Sequence, residues 1–230
     1  DAEPGFMVHI RRGVLDYWLP TVLHVAAGAR YRGCVHEFVD ASIGLKLPPQ
    51  ITLRQDIGNY AASAKRWHRD LELLTAERIK DPKNSRTVFY LAQTLEQLGL
   101  KHDALIAYHD RIAMDGFDEE TVEAKLRASK IMDDSGYPRP TVVHAYLETF
   151  AADSQRAEPL YQIAKHYAKR DQHALAFLFA EKAAAMPKPD RRMMLDHDVY
   201  AFEAARLASI HGYYTPHRER ARGWAKAVVR

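Results

Sequence analysis

The sequence has little cysteine, no long apolar run and almost no excess charge. Its single cysteine, Cys34, excludes an internal disulfide framework and is typical of proteins in a reducing compartment. No apolar stretch reaches the roughly 18 residues that a membrane-spanning helix needs, and no signal peptide begins the chain. The formal net charge of +3 over 230 residues gives no basis for predicting a nucleic-acid partner. We therefore predict a cytoplasmic protein that binds neither nucleic acid nor membrane.

Several motifs of common enzymes are also missing. The 12 histidines are spread along the chain without an HExxH or His-x-His cluster, so a structural zinc site is not predicted. The glycine patterns GxxxxGK, GxGxxG and GxSxG do not occur, which removes support for nucleotide hydrolysis, dinucleotide chemistry and nucleophile-elbow hydrolases. Because the chain begins with Asp1 rather than Met, we expect it to be a processed or truncated piece of a longer protein.

The sequence does contain a repeated helical pattern, which is clearest between Ser85 and Asp115. This segment is typical of a tetratricopeptide-type repeat of about 34 residues, in which a helix, a turn and a second helix follow one another. Ala92 and Ala104 are small residues placed where the two helices would cross, and Gly99 stands where a left-handed cap would end the first helix. The large apolar residues predicted to fill the grooves between helices are Val88, Leu91, Leu95 and Tyr108.

The pattern continues to the end of the chain and predicts a mainly α fold. Residues 57–230 are expected to form a tetratricopeptide-like α-solenoid of helical hairpins, beginning with a helix from Ser63 to Lys80 that stops before Pro82. The predicted pairs are Ser85–Leu98 with His102–Met114, Glu119–Ser135 with Pro140–Ala152, Glu158–Lys169 with Gln172–Met186, and His197–Tyr213 with His217–Val229.

The last of these pairs carries a polar outer face, for which two interpretations stay open. Terminal repeats usually need such a face to keep the end of the array in water. The same residues could instead form a basic patch that binds a partner. They are Arg218, Glu219, Arg220, Arg222, Lys226 and Arg230.

Residues 1–56 differ from the rest and are predicted to be β-rich. The runs Phe6–Ile10 and Val22–Val25 are typical of short strands. The residues predicted to separate these strands are Gly13, Pro20, Gly28 and Gly33. Residues 40–56 contain glycine and proline without a helical period, so we predict a connecting loop there.

One motif in this N-terminal segment resembles a known family. Gly33-Cys34-Val35-His36-Glu37 is similar to the G-x-V-H-E motif that ends the catalytic domain of family 2 glycosyltransferases of the GT-A type. Trp18-Leu19-Pro20 before a strand also looks like that family. Further positions match the K-x3-R-D-x2-L-L entry into a fused helical repeat segment in one bacterial and phage branch: Lys65, Arg69, Asp70, Leu73 and Leu74.

The resemblance implies metal-dependent transfer of a sugar from a nucleotide-sugar donor to an acceptor. A divalent ion, Mn²⁺ or Mg²⁺, would neutralise the leaving diphosphate, and the family's pattern makes His36 its metal ligand. Glu37 would be the catalytic carboxylate that orients the acceptor or takes its proton. Arg32 and Trp18 would be substrate-binding residues, with Arg32 holding phosphate oxygens.

The chain has neither the nucleotide-binding βαβ region nor the Asp-x-Asp motif of that family. The first hypothesis is therefore the C-terminal portion of a glycosyltransferase: residues 1–56 finish its catalytic domain, and residues 57–230 bind the acceptor or build a homodimer. On its own, the chain is not expected to be active.

The alternative hypothesis is a non-catalytic scaffold that binds a protein or peptide on the concave face of its repeats. In that case His36 and Glu37 would be paired internally, and their replacement would change only stability. The exposed groove residues proposed for this alternative are Arg139, Arg156, His166 and Arg170.

Overall fold

The computed structural model describes residues 3–12, 15–48, 50–54, 60–191 and 195–228, and divides the chain into two compact units. Residues 1–100 form the first unit and residues 101–230 form the second. The predicted separator Gly13 and the terminal Arg230 lie outside the described residues. No helix within the described ranges is long and apolar enough to cross a membrane.

The first unit begins with two small sheets. In the larger sheet, β1 (Gly5–Arg12) lies between β2 (Leu15–Leu23), with which it is antiparallel, and β5 (Thr52–Arg54), with which it is parallel. Val8 and Ile10 of β1 are buried. In the smaller sheet, β3 (Tyr31–Arg32) and β4 (Phe38–Val39) pair as antiparallel strands.

The strand predictions were only partly right. The run Phe6–Ile10 lies inside β1, as predicted, whereas the second strand ends at Leu23 and includes Pro20, which was predicted to be a separator. Proline is tolerated here because β2 is an edge strand, where a missing N–H breaks no ladder. The predicted loop 40–56 contains β5, which is too short to produce an alternating pattern.

Helices and the segments that connect them make up the rest of the described chain. The first unit ends with α1 (Tyr60–Lys80) and α2 (Ser85–Gln97), which pack on each other. The helices of the second unit are α3 (Lys101–Ile112), α4 (Asp118–Asp134), α5 (Arg139–Ala152), α6 (Glu158–Ala168), α7 (His173–Ala184), α8 (Ala204–Tyr213) and α9 (Arg218–Val228). A turn of π-helix, Val199–Glu203, leads directly into α8. The predicted helices are thus confirmed, with bounds that differ by a few residues.

Three turns between helices share one geometry. Gly99 has a φ of 77°, and the next residue, Leu100, donates its N–H to the Leu95 carbonyl, which closes α2 as a Schellman cap. Gly136 repeats this cap after α4 with a φ of 75°. After α6 the left-handed position is held by Asp171 at a φ of 53°, which a search for glycine does not detect.

Small residues allow the helices to approach one another closely. Ala92 and Ala104, predicted as crossing residues, are fully buried, and so are Ala164, Ala180 and Ala208 in later helices. The predicted groove fillers are also buried. Among the helical glycines, Gly212 in α8 is close-packed: an added Cβ would lie 2.7 Å from the Phe177 ring of α7 and 2.9 Å from the Ala221 Cβ of α9.

We predict that Gly212→Ala will destabilise the second unit by about 1–3 kcal/mol, because overpacking forces α7 and α9 apart. Gly223→Ala in α9 is the matched control, since nothing lies within 4 Å of its added Cβ. That change should instead raise stability by up to about 1 kcal/mol through helix propensity. Urea denaturation followed by circular dichroism measures both. Equal effects of the two substitutions would contradict the close contact.

Packing of α7 on α8 also brings two histidines together. The Nδ1 atoms of His173 and His211 lie 2.9 Å apart, and the His173 ring stacks on Tyr214. One ring must donate through Nδ1 and the other must accept, so at least one of the two histidines is neutral when this hydrogen bond forms. Burial, and then the neighbouring His173, lower the pKa of His211, while Asp171 opposes them.

The unfolded chain therefore takes up the His211 proton at a higher pH than the folded protein does. We predict that this contribution to stability is complete above the ordinary histidine pKa of about 6.5 and is lost as the pH falls below it. Urea unfolding at several pH values between about 7.5 and 5 should show a shallower pH dependence for His211→Gln than for the wild type. His102→Gln, at an exposed position of α3, should keep the wild-type slope. Identical slopes for wild type and His211→Gln would show that the expectation is wrong.

Candidate functional site

The residues predicted to carry glycosyl transfer all lie in the first unit. His36 has a φ of 50°, and its ring stacks on Tyr90 of α2, with centroids 4.1 Å apart and planes 10° from parallel. The carbonyl of His36 accepts a hydrogen bond from Arg86 at 3.2 Å. Desolvation, more than any neighbouring charge, lowers the pKa of His36. These contacts hold the His36 ring against α2.

The other predicted site residues occupy two different sheets. Arg32 is in β3, next to the turn that holds His36 and Glu37, and its Nε donates to Asp40 at 2.7 Å. Glu37 is exposed. Trp18 is in β2 of the other sheet. No three His, Cys, Asp or Glu side chains in the described part of the chain group closely enough to hold a metal ion. The roles assigned to Arg32, Trp18, His36 and Glu37 stay predictions.

A second set of polar side chains lies in the second unit, where α6 contacts both α4 and α8. Each of these is the first helix of its pair, so we call their shared surface the first-helix face. Glu123, Arg127 and Lys130 follow one another at helical spacing on α4. On α6, Glu158, Tyr161 and Lys165 also lie three and four positions apart. The same surface therefore presents charged and aromatic side chains from neighbouring helices.

A buried ion network is at the centre of the first-helix face. Arg156, only 3% exposed, donates through Nη2 to Glu123 at 3.0 Å and to Glu158 at 3.1 Å. Both carboxylates are buried as well, and Arg127 Nε donates to the other oxygen of Glu123 at 2.8 Å. Burial by itself would lower the pKa of Arg156, but Glu123 and Glu158 raise it. The guanidinium thus remains charged and ties α4 to the start of α6.

Glu158 extends the network toward α8. The Tyr200 hydroxyl donates to Glu158 Oε2 at 2.5 Å and itself accepts the N–H of Ala157 at 3.0 Å. The N–H of Asp196 donates to Glu158 Oε1 at 3.3 Å. Burial and the hydrogen bond to Glu158 raise the pKa of Tyr200, so its hydroxyl keeps its proton. One carboxylate therefore holds the segment before α8 in place.

A second set of contacts lies farther along α6. Tyr161 donates its hydroxyl to Glu203 at 3.2 Å, and Arg206 donates to the same carboxylate at 2.7 Å. The ammonium of Lys165 lies 5.4 Å from the centre of the Tyr161 ring. Burial, above all, lowers the pKa of Lys130. The first-helix face therefore carries basic side chains from α4, α6 and α8, and the carboxylates beside them already have partners.

Two of the four predicted groove residues are not exposed, which corrects the sequence interpretation. Arg156 is in the buried network, and His166 is fully buried with its Nδ1 2.7 Å from Asp133 Oδ1. Arg139 and Arg170 are exposed, as expected. The helical spacing of Glu123, Arg127 and Lys130 is the sequence signal that could have indicated the first-helix face. Hydropathy assigns charged residues to the surface, so it could not show that Glu123 is buried.

Comparisons with known proteins identify the fold. No family model matches the sequence, and no curated protein matches it. Among solved structures, the crystal structure of MamA superposes with a TM-score of 0.57 at 16% identity, covering 77% of this chain and 95% of MamA. MamA 41-end from Desulfovibrio magneticus RS-1 gives a TM-score of 0.51 at 12% identity over 74% of this chain and 91% of that one. YrrB, described as a TPR protein with an unusual peptide-binding site, gives 0.50 at 10% identity over 73% and 79%.

These similarities confirm the predicted mainly α fold of tetratricopeptide-like helical hairpins, preceded by a short β-rich segment. At such low identity they show the fold alone. They give no support to a glycosyltransferase domain.

We predict that Arg156→Met will lower the free energy of unfolding by about 3–5 kcal/mol, because Glu123 and Glu158 would be left buried without their shared cation. Arg139→Met replaces an exposed arginine and should change stability by less than about 0.5 kcal/mol. Urea denaturation near neutral pH measures both. A loss below about 1 kcal/mol for Arg156→Met would mean that the carboxylates are not held as a buried network.

Proposed function

We propose that this protein is a scaffold that binds a protein or peptide on its first-helix face. The observation that carries this proposal is the buried network of Arg156, Glu123 and Glu158, which fixes side chains of α4, α6 and the segment before α8. A preformed polar surface loses little conformational entropy when a ligand binds. Such a surface suits recognition of an extended chain, whose backbone supplies regularly spaced hydrogen-bonding groups.

The charges on the face indicate what such a ligand would offer. Arg127 and Arg206 keep 27% and 46% of their side chains exposed, whereas the carboxylates of Glu123 and Glu158 are buried. Carbonyl and carboxylate oxygens of a peptide can therefore accept hydrogen bonds from these two arginines and from Lys165, whose ammonium lies over the Tyr161 ring. YrrB, a solved structure with a similar fold, is described as having a peptide-binding site, which agrees with this proposal.

The glycosyltransferase hypothesis stays a prediction that rests on the resemblance around His36 and Glu37. A divalent metal, a nucleotide-sugar donor and an acceptor belong to that hypothesis. The stacking of His36 on Tyr90 and the hydrogen bond from Arg86 to its carbonyl favour a packing role for this residue. For that reason, we rank the binding scaffold first.

The experiment is a selection of random displayed peptides on the full chain, followed by fluorescence anisotropy with the selected peptides. The double variant Arg127→Ala with Lys165→Ala should weaken binding by about tenfold or more, because two charge-assisted contacts are lost. The matched control is Arg139→Ala with Lys182→Ala, which removes exposed cations of the second helices α5 and α7.

The control variant should bind within about twofold of the wild type, a difference below RT in free energy. Circular dichroism melting establishes that both variants are folded. Equal affinity of the two double variants, or the absence of any selected peptide, would contradict the assignment of the first-helix face.

A further inference from the structure

A different surface lies at the end of the second unit, between α8 and α9. It is an open groove of about 340 Å³. Ile210, Tyr213 and Tyr214 of α8 and the turn that follows line one side, and each is exposed. Ala225 of α9 lies on the other side. Three large exposed apolar or aromatic side chains in one groove mark an interaction surface better than any of them would singly.

The packing of α8 on the preceding helix pair, α6 and α7, shows what shape fits such a groove. In that packing, α8 lies against α7 and also contacts α6. The buried residues of α8 include Ala204, Leu207, Ala208 and His211, which stand at positions i, i+3, i+4 and i+7. Neighbouring hairpins in a helical repeat array stack in one repeated way, so the α8–α9 groove is shaped for another amphipathic helix.

The charge around the groove indicates which amphipathic helix would bind. In α9, Arg218, Arg220, Arg222 and Lys226 stand against the single acidic residue Glu219. The Arg218 guanidinium lies 5.2 Å from the centre of the Tyr213 ring, and its Nε donates to the Tyr213 carbonyl at 3.0 Å.

Arg218 is therefore held at the rim of the groove by ring and carbonyl contacts. Arg222 pairs with Glu219, but both side chains are at least 70% exposed, so this ion pair is weak. Arg218 and Arg222 can therefore each form an ion pair with a carboxylate of a ligand.

We propose that the α8–α9 groove binds an amphipathic helix of a partner protein, with apolar residues at i, i+3, i+4 and i+7 and glutamate or aspartate along its flanks. The apolar stripe covers Ile210, Tyr213 and Tyr214, and the flanking carboxylates contact Arg218 and Arg222. This is helix-in-groove recognition. It uses a surface separate from the first-helix face and does not depend on the function proposed for that face. It also favours the basic-patch interpretation of the last helix pair over a purely solvated cap.

The test uses a displayed library of helical peptides of about 20 residues, a length at which helices form readily. Apolar residues are fixed at the four stripe positions, and the flanking positions vary among Glu, Lys and Ser. Selection on the wild-type chain should enrich Glu. Selection on Arg218→Glu with Arg222→Glu should enrich Lys, because charge complementarity sets the preference for partners.

Anisotropy titrations then quantify the preference with the best Glu-rich peptide. Its affinity should fall by about tenfold or more on the double charge reversal and on Ile210→Ser. It should also weaken with added salt, because exposed charges are screened. Lys182→Glu with Lys188→Glu makes the same change in net charge at exposed positions outside the groove and should leave the affinity within about twofold.

Arg127→Ala with Lys165→Ala should also leave this affinity unchanged, which separates the groove from the first-helix face. A proline in the middle of the peptide should abolish binding, because it breaks the helix. Selection without charge preference, a failure to obtain binders, or loss of affinity on Lys182→Glu with Lys188→Glu would each overturn the proposal.

Discussion

The buried bridge from Arg156 to Glu123 and Glu158 is the interaction on which the arrangement of the second unit depends. Hairpin contacts along the sequence hold each helix to its neighbour, but this bridge connects α4, the start of α6 and, through Tyr200, the segment before α8. Burying three charges is costly, and the cost is offset only if every partner is present in good geometry. The bridge therefore favours the register of the hairpins in which Arg156, Glu123 and Glu158 meet.

Close helix packing is the second constraint. Ala164, Ala208 and Gly212 leave room for neighbouring helices, and the large side chains that fill the remaining space, such as Phe177, are buried. At Gly212 not even one methyl group fits without movement. Where a helix pair is packed this tightly, a change in one helix must move the next, because packed interiors do not absorb extra volume. The polar contacts of the first-helix face are thus positioned by an apolar framework that allows little variation.

The sequence predicted the helices well because helical periodicity and left-handed turn residues are local signals. The helix bounds and the Gly99 cap required only those signals. The left-handed turn at Asp171 was missed because its positive φ can be read only from the backbone and not from the residue type.

The burial of Arg156 and His166 was missed for a different reason. A charged residue enters a core only together with its partners. Glu123 and Asp133, the partners on α4, each lie 33 residues away in the sequence. The strand β5 was too short to show a period of its own.

The two proposed surfaces follow from one property of stacked hairpins. Within an array, the first helices place side chains from several repeats on one face, and this face can recognise a ligand that runs across them. At the end of the described helices, the same stacking leaves the α8–α9 groove. This is the groove for which we propose a helical ligand. The first surface is polar and prearranged by buried ion pairs, whereas the second is apolar with a basic rim. A ligand suited to one surface is therefore expected to fit the other poorly, because an extended chain cannot fill a helix-shaped groove and an amphipathic helix cannot bury its apolar stripe on a polar face. Taken together, the two proposals let a chain built from a single kind of structural unit distinguish two partners of different conformation.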